Sequence, residues 1–228
     1  MASRTRAKGG ARTGKGGRPG RRTPVKVKKG TDVPILAVAV GSVLAVLLVA
    51  MIVYIVYLNR PAVPPPSAGG VPCDQLEHTQ SHYHAALQIM YHGVVTNLPD
   101  NTGIQLDADG TTVHCYYWLH VHAGQKNIIH IEAPATQTFT VGQFFQVWNS
   151  WSMQNGKGPQ KLDSAHVSQF VLAPTDKLIV YVDKGDGKPT VFTGDPNTIV
   201  LTSHEIVTIE ISPPDVNPPP PFTFPSGL

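Results

Sequence analysis

Acidic residues are missing from the start of the chain, where eleven Lys or Arg and no Asp or Glu precede Thr31. From Pro61 onward the balance reverses, with fourteen acidic residues against six Lys. The formal net charge of +3 is therefore the sum of a basic tail and an acidic remainder, and all ten histidines lie in the acidic part. Charge asymmetry of this kind indicates location and partners rather than fold.

Cysteine is scarce, since Cys73 and Cys115 are the only two in the chain. They form no Cys-x-x-Cys motif, which disfavours a redox pair. An even pair in an oxidising compartment predicts one structural disulfide between them. A thiolate metal ligand is the alternative interpretation.

Recognised catalytic signatures are also missing. The chain has no H-E-x-x-H sequence, and none of its serines lies in a nucleophile-elbow motif. An enzyme that uses a bound metal, with Glu132 as acid or base, is a hypothesis that ranks below binding, because three ligands alone do not imply chemistry.

Charged residues are absent from the run between Ile35 and Leu58, which is 24 residues long. As a helix it would reach about 36 Å, enough to cross a hydrocarbon core of roughly 30 Å. The run is longer than the apolar part of a signal peptide, and Asn59-Arg60-Pro61 is no small-residue cleavage site. We therefore predict one transmembrane helix over residues 33–58, with a cleaved signal peptide as the alternative.

The basic tail predicts the orientation of this helix, because positive flanking residues stay in the cytoplasm. We expect a single-pass protein of the plasma membrane, with residues 1–32 cytoplasmic and disordered and the C-terminal domain outside. Membrane lipid is the expected partner of residues 35–58 and, through charge, of the tail. The tail has no aromatic residues to stack on bases, so nucleic acid ranks below lipid as its ligand.

Proline clusters in two segments outside the membrane. Residues 59–72 are predicted to be an extended linker, and residues 213–228 a disordered tail, with a polyproline ligand for a partner as the alternative for the latter. Residues 73–212 remain between them, about 140 positions, which suffices for one domain with its own core.

In this domain apolar residues mostly recur at every second position. Alternation predicts strands in the following ranges: Tyr83–Tyr91, Cys115–His122, Ile128–Ile131, Lys177–Asp183, Val191–Thr193 and Ile206–Ile211. One segment has helical spacing instead, from Thr140 as the candidate cap to Trp148. We predict a mainly β domain with one short helix, either an α+β roll or a sandwich.

Histidine is concentrated in two H-x-H units, His82-Tyr83-His84 and His120-Val121-His122. On a strand, residues i and i+2 face the same way, so each unit sends two imidazoles to one side. If the loop after His122 is a hairpin symmetric about Gln125, His120 lies opposite His130. A slip of one residue would send His130 to the other face.

This register predicts a triangle of His120, His122 and His130, with Glu132 beside it to orient the ligands or act as a base. His82 or His84 on another strand would supply a further ligand. Three imidazoles with an open position suit a copper or zinc ion. The alternative is a polar network in which these histidines only bond to backbone and to aromatic side chains.

The same residues carry a resemblance. The pattern His82-x-His84, Cys115-x-x-Trp118-Leu119-His120-x-His122, Ile129-His130-Ile131-Glu132 and then Phe139 to Trp148 resembles an uncharacterised family of bacterial single-pass membrane-anchored proteins with a His-rich extracytoplasmic domain. In that family the middle motif often reads Leu-His-Thr-His-Asp, whereas Val121 and Ala123 stand here for the Thr and the Asp. The resemblance covers residues 73 to 211 and implies no activity.

Three functions follow as hypotheses. The leading one is an outward-facing domain that binds copper or zinc. The second is the metal-dependent enzyme already described. The third is an interaction module or subunit of an envelope protein complex, in which the histidines are structural.

Overall fold

The computed structural model describes residues 34–58 and 66–228. The chain divides into two compact units, Met1–Ala62 and Val63–Leu228. The predicted basic tail, residues 1–32, and most of the predicted linker, residues 59–65, lie outside the described residues.

The described part of the first unit is one helix, α1 (Ile35–Leu58). The backbone N–H groups of Ala37 and Val38 donate to the Pro34 carbonyl, so proline stands at the end of the helix where its missing N–H costs nothing. All of its side chains are exposed and none is charged. By length and composition α1 could cross a membrane, criteria that a signal sequence near the N-terminus also meets.

The second unit is mainly β. Its elements, in chain order, are β1 (Ser67–Ala68), β2 (Val71–Asp74), β3 (Ser81–Tyr91), β4 (Val94–Thr96), β5 (Ile104–Leu106), β6 (Val113–Tyr117), β7 (Leu119–His120), β8 (Ile128–Ala133), α2 (Val141–Gln154), β9 (Lys161–Asp163), β10 (His166–Ser168), β11 (Phe170–Val171), β12 (Lys177–Asp183), β13 (Thr190–Val191), a 3-10 turn (Pro196–Thr198) and β14 (Ile206–Ser212). The predicted mainly β class with a short helix is confirmed.

A seven-stranded sheet forms the centre of this unit, in the order β13-β12-β14-β3-β8-β7, with β4 paired to the end of β3. The β14–β3 pair is parallel and the other pairs are antiparallel. All six residues of β8 are buried, because strands flank it on both sides and packing covers both faces. Any polar side chain on β8 must therefore find its partners inside the protein.

The unit has two further sheets. One has four strands in the order β1-β2-β6-β5, and the other has three strands in the order β11-β10-β9. Residues 66–72, predicted as linker, supply β1 and the start of β2 in the four-stranded sheet. Cys73 on β2 and Cys115 on β6 form the predicted disulfide, with Cα atoms 5.4 Å apart.

The predicted strand from Cys115 to His122 is divided at Trp118. Residues before Trp118 belong to the four-stranded sheet as β6, and residues after it belong to the seven-stranded sheet as β7. The Trp118 indole N–H donates to Asp74 Oδ2 at 2.7 Å. The backbone carbonyl of Trp118 accepts from the Glu132 N–H at 2.9 Å. A single residue therefore links the two sheets.

Helix α2 begins after Thr140, as predicted. The Thr140 hydroxyl accepts from the Gln143 N–H, and the Gln143 side chain accepts from the Thr140 N–H, which forms a capping box. Its apolar side packs into the core shared with both sheets, and the Trp151 indole donates to the Ile104 carbonyl at 2.9 Å. The helix continues beyond Trp148 to Gln154.

The Pro-rich C-terminal segment, residues 213–228, was expected to be disordered, but it follows the surface of the domain. Pro219 is buried, and His204 Nε2 lies 2.9 Å from the Leu228 carbonyl. The Val216 N–H donates to Glu210 Oε1 at 2.7 Å. Contacts from Glu210 and His204 thus hold a segment whose composition alone favours an extended coil.

Candidate metal centre

Three adjacent strands bring the predicted histidines together. His120 on β7 pairs with His130 on β8, as the register symmetric about Gln125 predicts. On the other side of β8, His84 pairs with His130 and His82 pairs with Glu132. Because directly paired residues point to the same face of a sheet, all these side chains converge on one surface of β8.

The first set of ligand atoms, the β7-side group, consists of His120, His122, His130 and Glu132, whose ligand atoms all lie within 4.8 Å of one another. His120 Nε2 and His122 Nε2 are 3.1 Å apart, and His130 Nδ1 is 3.4 Å from Glu132 Oε1. In a tetrahedral zinc site with bonds of about 2.0–2.1 Å, neighbouring ligand atoms are separated by roughly 3.3 Å. These two spacings in the β7-side group are close to this value, and the His120 Nε2–Glu132 Oε1 distance is longer, at 4.0 Å.

His120 is fully buried, and its tautomer follows from its surroundings. Its Nδ1 lies 2.8 Å from the Tyr117 carbonyl, which can only accept, so Nδ1 carries the proton. The lone pair is then on Nε2, the atom that faces His122 and Glu132. A histidine whose far nitrogen donates to a backbone carbonyl is the usual arrangement of a metal ligand.

The tautomer of His130 is also fixed by a hydrogen bond, in this case to Gln125 in the loop between β7 and β8. Its Nε2 donates to Gln125 Oε1, which leaves the lone pair on Nδ1. That Nδ1 is buried and, among the residues that the structure describes, has no hydrogen-bond partner. A buried polar atom without a partner is rare in proteins and indicates a missing ligand or water.

Glu132 provides the negative charge. Burial would raise the pKa of its carboxyl, but where the adjacent histidines carry a proton, His130 first and then His120 and His82, they hold that pKa below its ordinary value. The carboxylate is therefore ionised at neutral pH, and its Oε1 lies 3.4 Å from His82 Nε2 and 4.0 Å from His120 Nε2.

The second set, the β3-side group, consists of His82, His84 and His130, again within 4.8 Å. Burial, reinforced by the neighbouring charges of His130 and His82, lowers the pKa of His84 to about 4. His84 is therefore neutral at physiological pH. Its Nε2 is buried without a hydrogen-bond partner in the described part of the chain.

Glu77 is a member of the site that the sequence did not indicate. Its Oε1 lies 3.2 Å from His122 Nε2 and 3.6 Å from His120 Nε2. The one available signal was its place shortly after Cys73, because the disulfide to Cys115 brings this loop near the strand that leads to His120.

The other five histidines have partners elsewhere. His78, His114 and His166 contact carboxylates, whereas His92 contacts the Pro213 carbonyl and His204 the Leu228 carbonyl. His92 has a positive φ of 48° and lies in the turn after β3, so it does not extend the row of His82 and His84.

The histidine set thus consists of two groups of possible ligands on either side of His130, with Glu132 and Glu77 as the nearby carboxylates. Both groups are made of imidazole nitrogens and carboxylate oxygens, a donor set that suits borderline divalent ions such as Zn²⁺ and Cu²⁺. The site can also hold protons, because five imidazoles share one surface. No protein-family model, curated protein or solved structure matches this chain.

Proposed function

We propose that the second unit is a membrane-anchored, extracytoplasmic domain that binds copper or zinc, with His120, His122, His130 and Glu132 as ligands. The observation that carries the proposal is the pair of pre-set lone pairs on His120 Nε2 and His130 Nδ1. Each imidazole gives its other nitrogen to an acceptor, and the His130 lone pair lacks a partner among the described residues. The fixed tautomers lower the cost of organising a site when an ion binds.

The ligand types favour copper or zinc over a hard cation such as calcium or magnesium. Three of the four β7-side ligands are imidazoles. Calcium and magnesium prefer sets made of oxygen atoms, whereas imidazole suits zinc and copper. With an ion bound, Glu132 and Glu77 would offset the positive charge, and His122, which is partly exposed, would give the ion a path to solvent.

The proposed location rests on the first unit and on the disulfide. An uncharged helix preceded by a basic tail is the pattern of a single-pass anchor with a cytoplasmic N-terminus. The Cys73–Cys115 disulfide is the kind of bond that persists outside the cytoplasm. The family resemblance, the tail's adhesion to lipid and an envelope protein partner stay predictions.

The test is the metal content of the full-length chain, purified in detergent without an affinity tag and dialysed against Zn²⁺ or Cu²⁺. We expect stoichiometric metal in the parent and a loss of affinity of about 100-fold or more in His120→Ala/His122→Ala. The matched control is His114→Ala/His166→Ala, which removes one exposed and one partly exposed histidine outside the site and should bind as the parent does.

Absence of metal from the folded parent would contradict the proposal. It would favour the interaction module, with the histidines as a hydrogen-bonded network around Glu77, Glu132 and the Tyr117 carbonyl. Co-purification of a partner with both the parent and the double variant would then identify that function.

A further inference from the structure

The β3-side group is a second set of ligands that the proposed site does not use. His82 and His84 lie on β3, on the opposite side of β8 from β7, and they share only His130 with the β7-side group. The His84 and His130 rings have centroids 4.5 Å apart, and the His82 and His84 rings 5.0 Å apart. Among the described residues no ligand group combines His82 or His84 with His120 or His122.

His84 supplies an independent sign of a ligand. Its side chain is 7 % exposed, and its Nε2 is buried without a hydrogen-bond partner among the residues described. The strand register fixes its position, because His84 and His130 are directly paired. A buried nitrogen that neither the backbone nor a neighbouring side chain satisfies is positioned for a ligand that the chain itself does not provide.

Glu132 lies between the two groups. Its Oε1 is 3.4 Å from His82 Nε2, on the β3 side, and 4.0 Å from His120 Nε2, on the β7 side. His130, which belongs to both groups, lies 3.4 Å from the same oxygen through Nδ1. One carboxylate oxygen thus faces histidines of both groups, and a carboxylate that bridges two ions is a common feature of sites with metals about 3.5–4 Å apart.

We infer that His82 and His84 bind a second divalent copper or zinc ion, adjacent to the first, with the Glu132 carboxylate between the two positions. The single free lone pair of His130 stays with the first ion, because its Nε2 donates to Gln125. The inference rests on the proposed function, since it requires a metal in the β7-side group. The two ions would lie over the same face of β8, one toward β7 and the other toward β3. His82 is 44 % exposed at its side chain, so the second position opens to solvent on the β3 side.

The test is a titration of the full-length chain in detergent with Cu²⁺, followed by elemental analysis and electron paramagnetic resonance. The parent should bind two equivalents, and the second should reduce the signal of isolated Cu²⁺ because neighbouring ions couple their spins. His82→Ala and His84→Ala should each bind one equivalent with an undiminished isolated signal. His82→Ala removes a partly exposed side chain, so it keeps the test valid if His84→Ala fails to fold.

His166→Ala is the control, since it removes a partly exposed histidine outside both groups, whose Nδ1 lies 2.8 Å from Asp163 Oδ1. One equivalent in the parent, unchanged in His82→Ala, would overturn the second ion and leave the proposed function intact. One equivalent that is lost in both His82→Ala and His120→Ala would indicate one ion held by a mixed set, which also overturns it. Absence of copper from the folded parent would overturn both proposals.

Discussion

His84 and His130 are directly paired across β3 and β8, and their imidazole rings meet edge to face with centroids 4.5 Å apart. Each ring has one buried nitrogen without a hydrogen-bond partner in the described part of the chain. Protonation of both rings is disfavoured, because two adjacent imidazolium groups repel one another. Each ring thus keeps one buried nitrogen for which the described residues provide no partner.

Gln125 should set metal affinity without being a ligand. Its Oε1 accepts the proton of His130 Nε2 and so keeps the lone pair on Nδ1. Gln125→Ala frees that tautomer, and we expect affinity for Zn²⁺ to fall roughly 10- to 100-fold. Competition with a chromophoric chelator measures the change.

Lys126→Ala is the matched control, because Lys126 is an exposed residue of the same loop. It should bind zinc as the parent does. Equal losses in the two variants would mean that the loop's conformation, and not the hydrogen bond of Gln125, controls affinity.

Gly103 protects the position of β7. Its φ is +81°, and an added Cβ would lie 2.6 Å from the Leu119 carbonyl oxygen and 3.2 Å from His120 Cα. Gly103→Ala should therefore displace His120, lower the free energy of unfolding by roughly 3 kcal/mol and weaken metal binding. Denaturation followed by tryptophan fluorescence reports on this unit alone, because all three Trp lie in it.

Gly110→Ala separates the effect of contact from that of backbone conformation. Gly110 has a similar φ of +71°, but a Cβ there would meet nothing within 4 Å. The variant should lose only about 1–2 kcal/mol, the cost of a left-handed conformation, and should keep its metal affinity. Equal effects of the two variants would contradict the role assigned to Gly103.

The disulfide should stabilise the second unit by closing a long loop. Cys73 and Cys115 are separated by 42 positions, for which loop closure predicts about 4 kcal/mol as an upper value. Cys73→Ser/Cys115→Ser should lower the free energy of unfolding by up to that amount, and a reductant should have the same effect on the parent. A reductant that also destabilises the double variant would exclude the disulfide as its target.

Glu210 should make stability depend on pH in a direction opposite to most carboxylates. It is fully buried, and burial raises its pKa above the ordinary 4.5, with the nearby Asp215 charge adding to the rise. The unfolded chain releases this proton first, so stability falls as pH rises from about 4.5 through the folded pKa. Glu210→Gln should therefore unfold at a higher temperature than the parent at pH 7, and the advantage should vanish near pH 4.

Asp195 should give stability the opposite pH dependence to that of Glu210. The Asn197 N–H donates to its carboxylate and lowers its pKa, so the contribution of Asp195 is present above the ordinary pKa and is lost in acid. Asp195→Asn should lower the melting temperature at pH 7 and approach the parent as pH falls. The same slope in both variants would contradict the assigned shifts.

The local parts of the site followed from the sequence. The hairpin around Gln125 fixed His120 opposite His130, because loop symmetry and the alternation of a short ladder leave one register. The helix cap at Thr140 was also predictable, because a threonine with a glutamine three positions later is typical of a helix start. Both features depend on residues close together in the chain.

The long-range parts did not follow. Nothing in the spacing specifies that β3 flanks β8, because pairing between distant strands is decided by the packing of the whole core. Glu77 lies in a loop whose position depends on the disulfide, and the division at Trp118 depends on two sheets meeting there. The sequence predicted His82 and His84 as ligands from another strand, but it did not indicate that this strand pairs with β8.

The division at Trp118 has one further consequence. β6 and β7 are consecutive pieces of one extended stretch of chain, which carries Cys115 within β6 and ends at His120. The covalent bond to β2 is therefore attached to the same short extended stretch that carries His120. Reduction of that bond would remove a restraint on the backbone close to a histidine of the candidate metal centre.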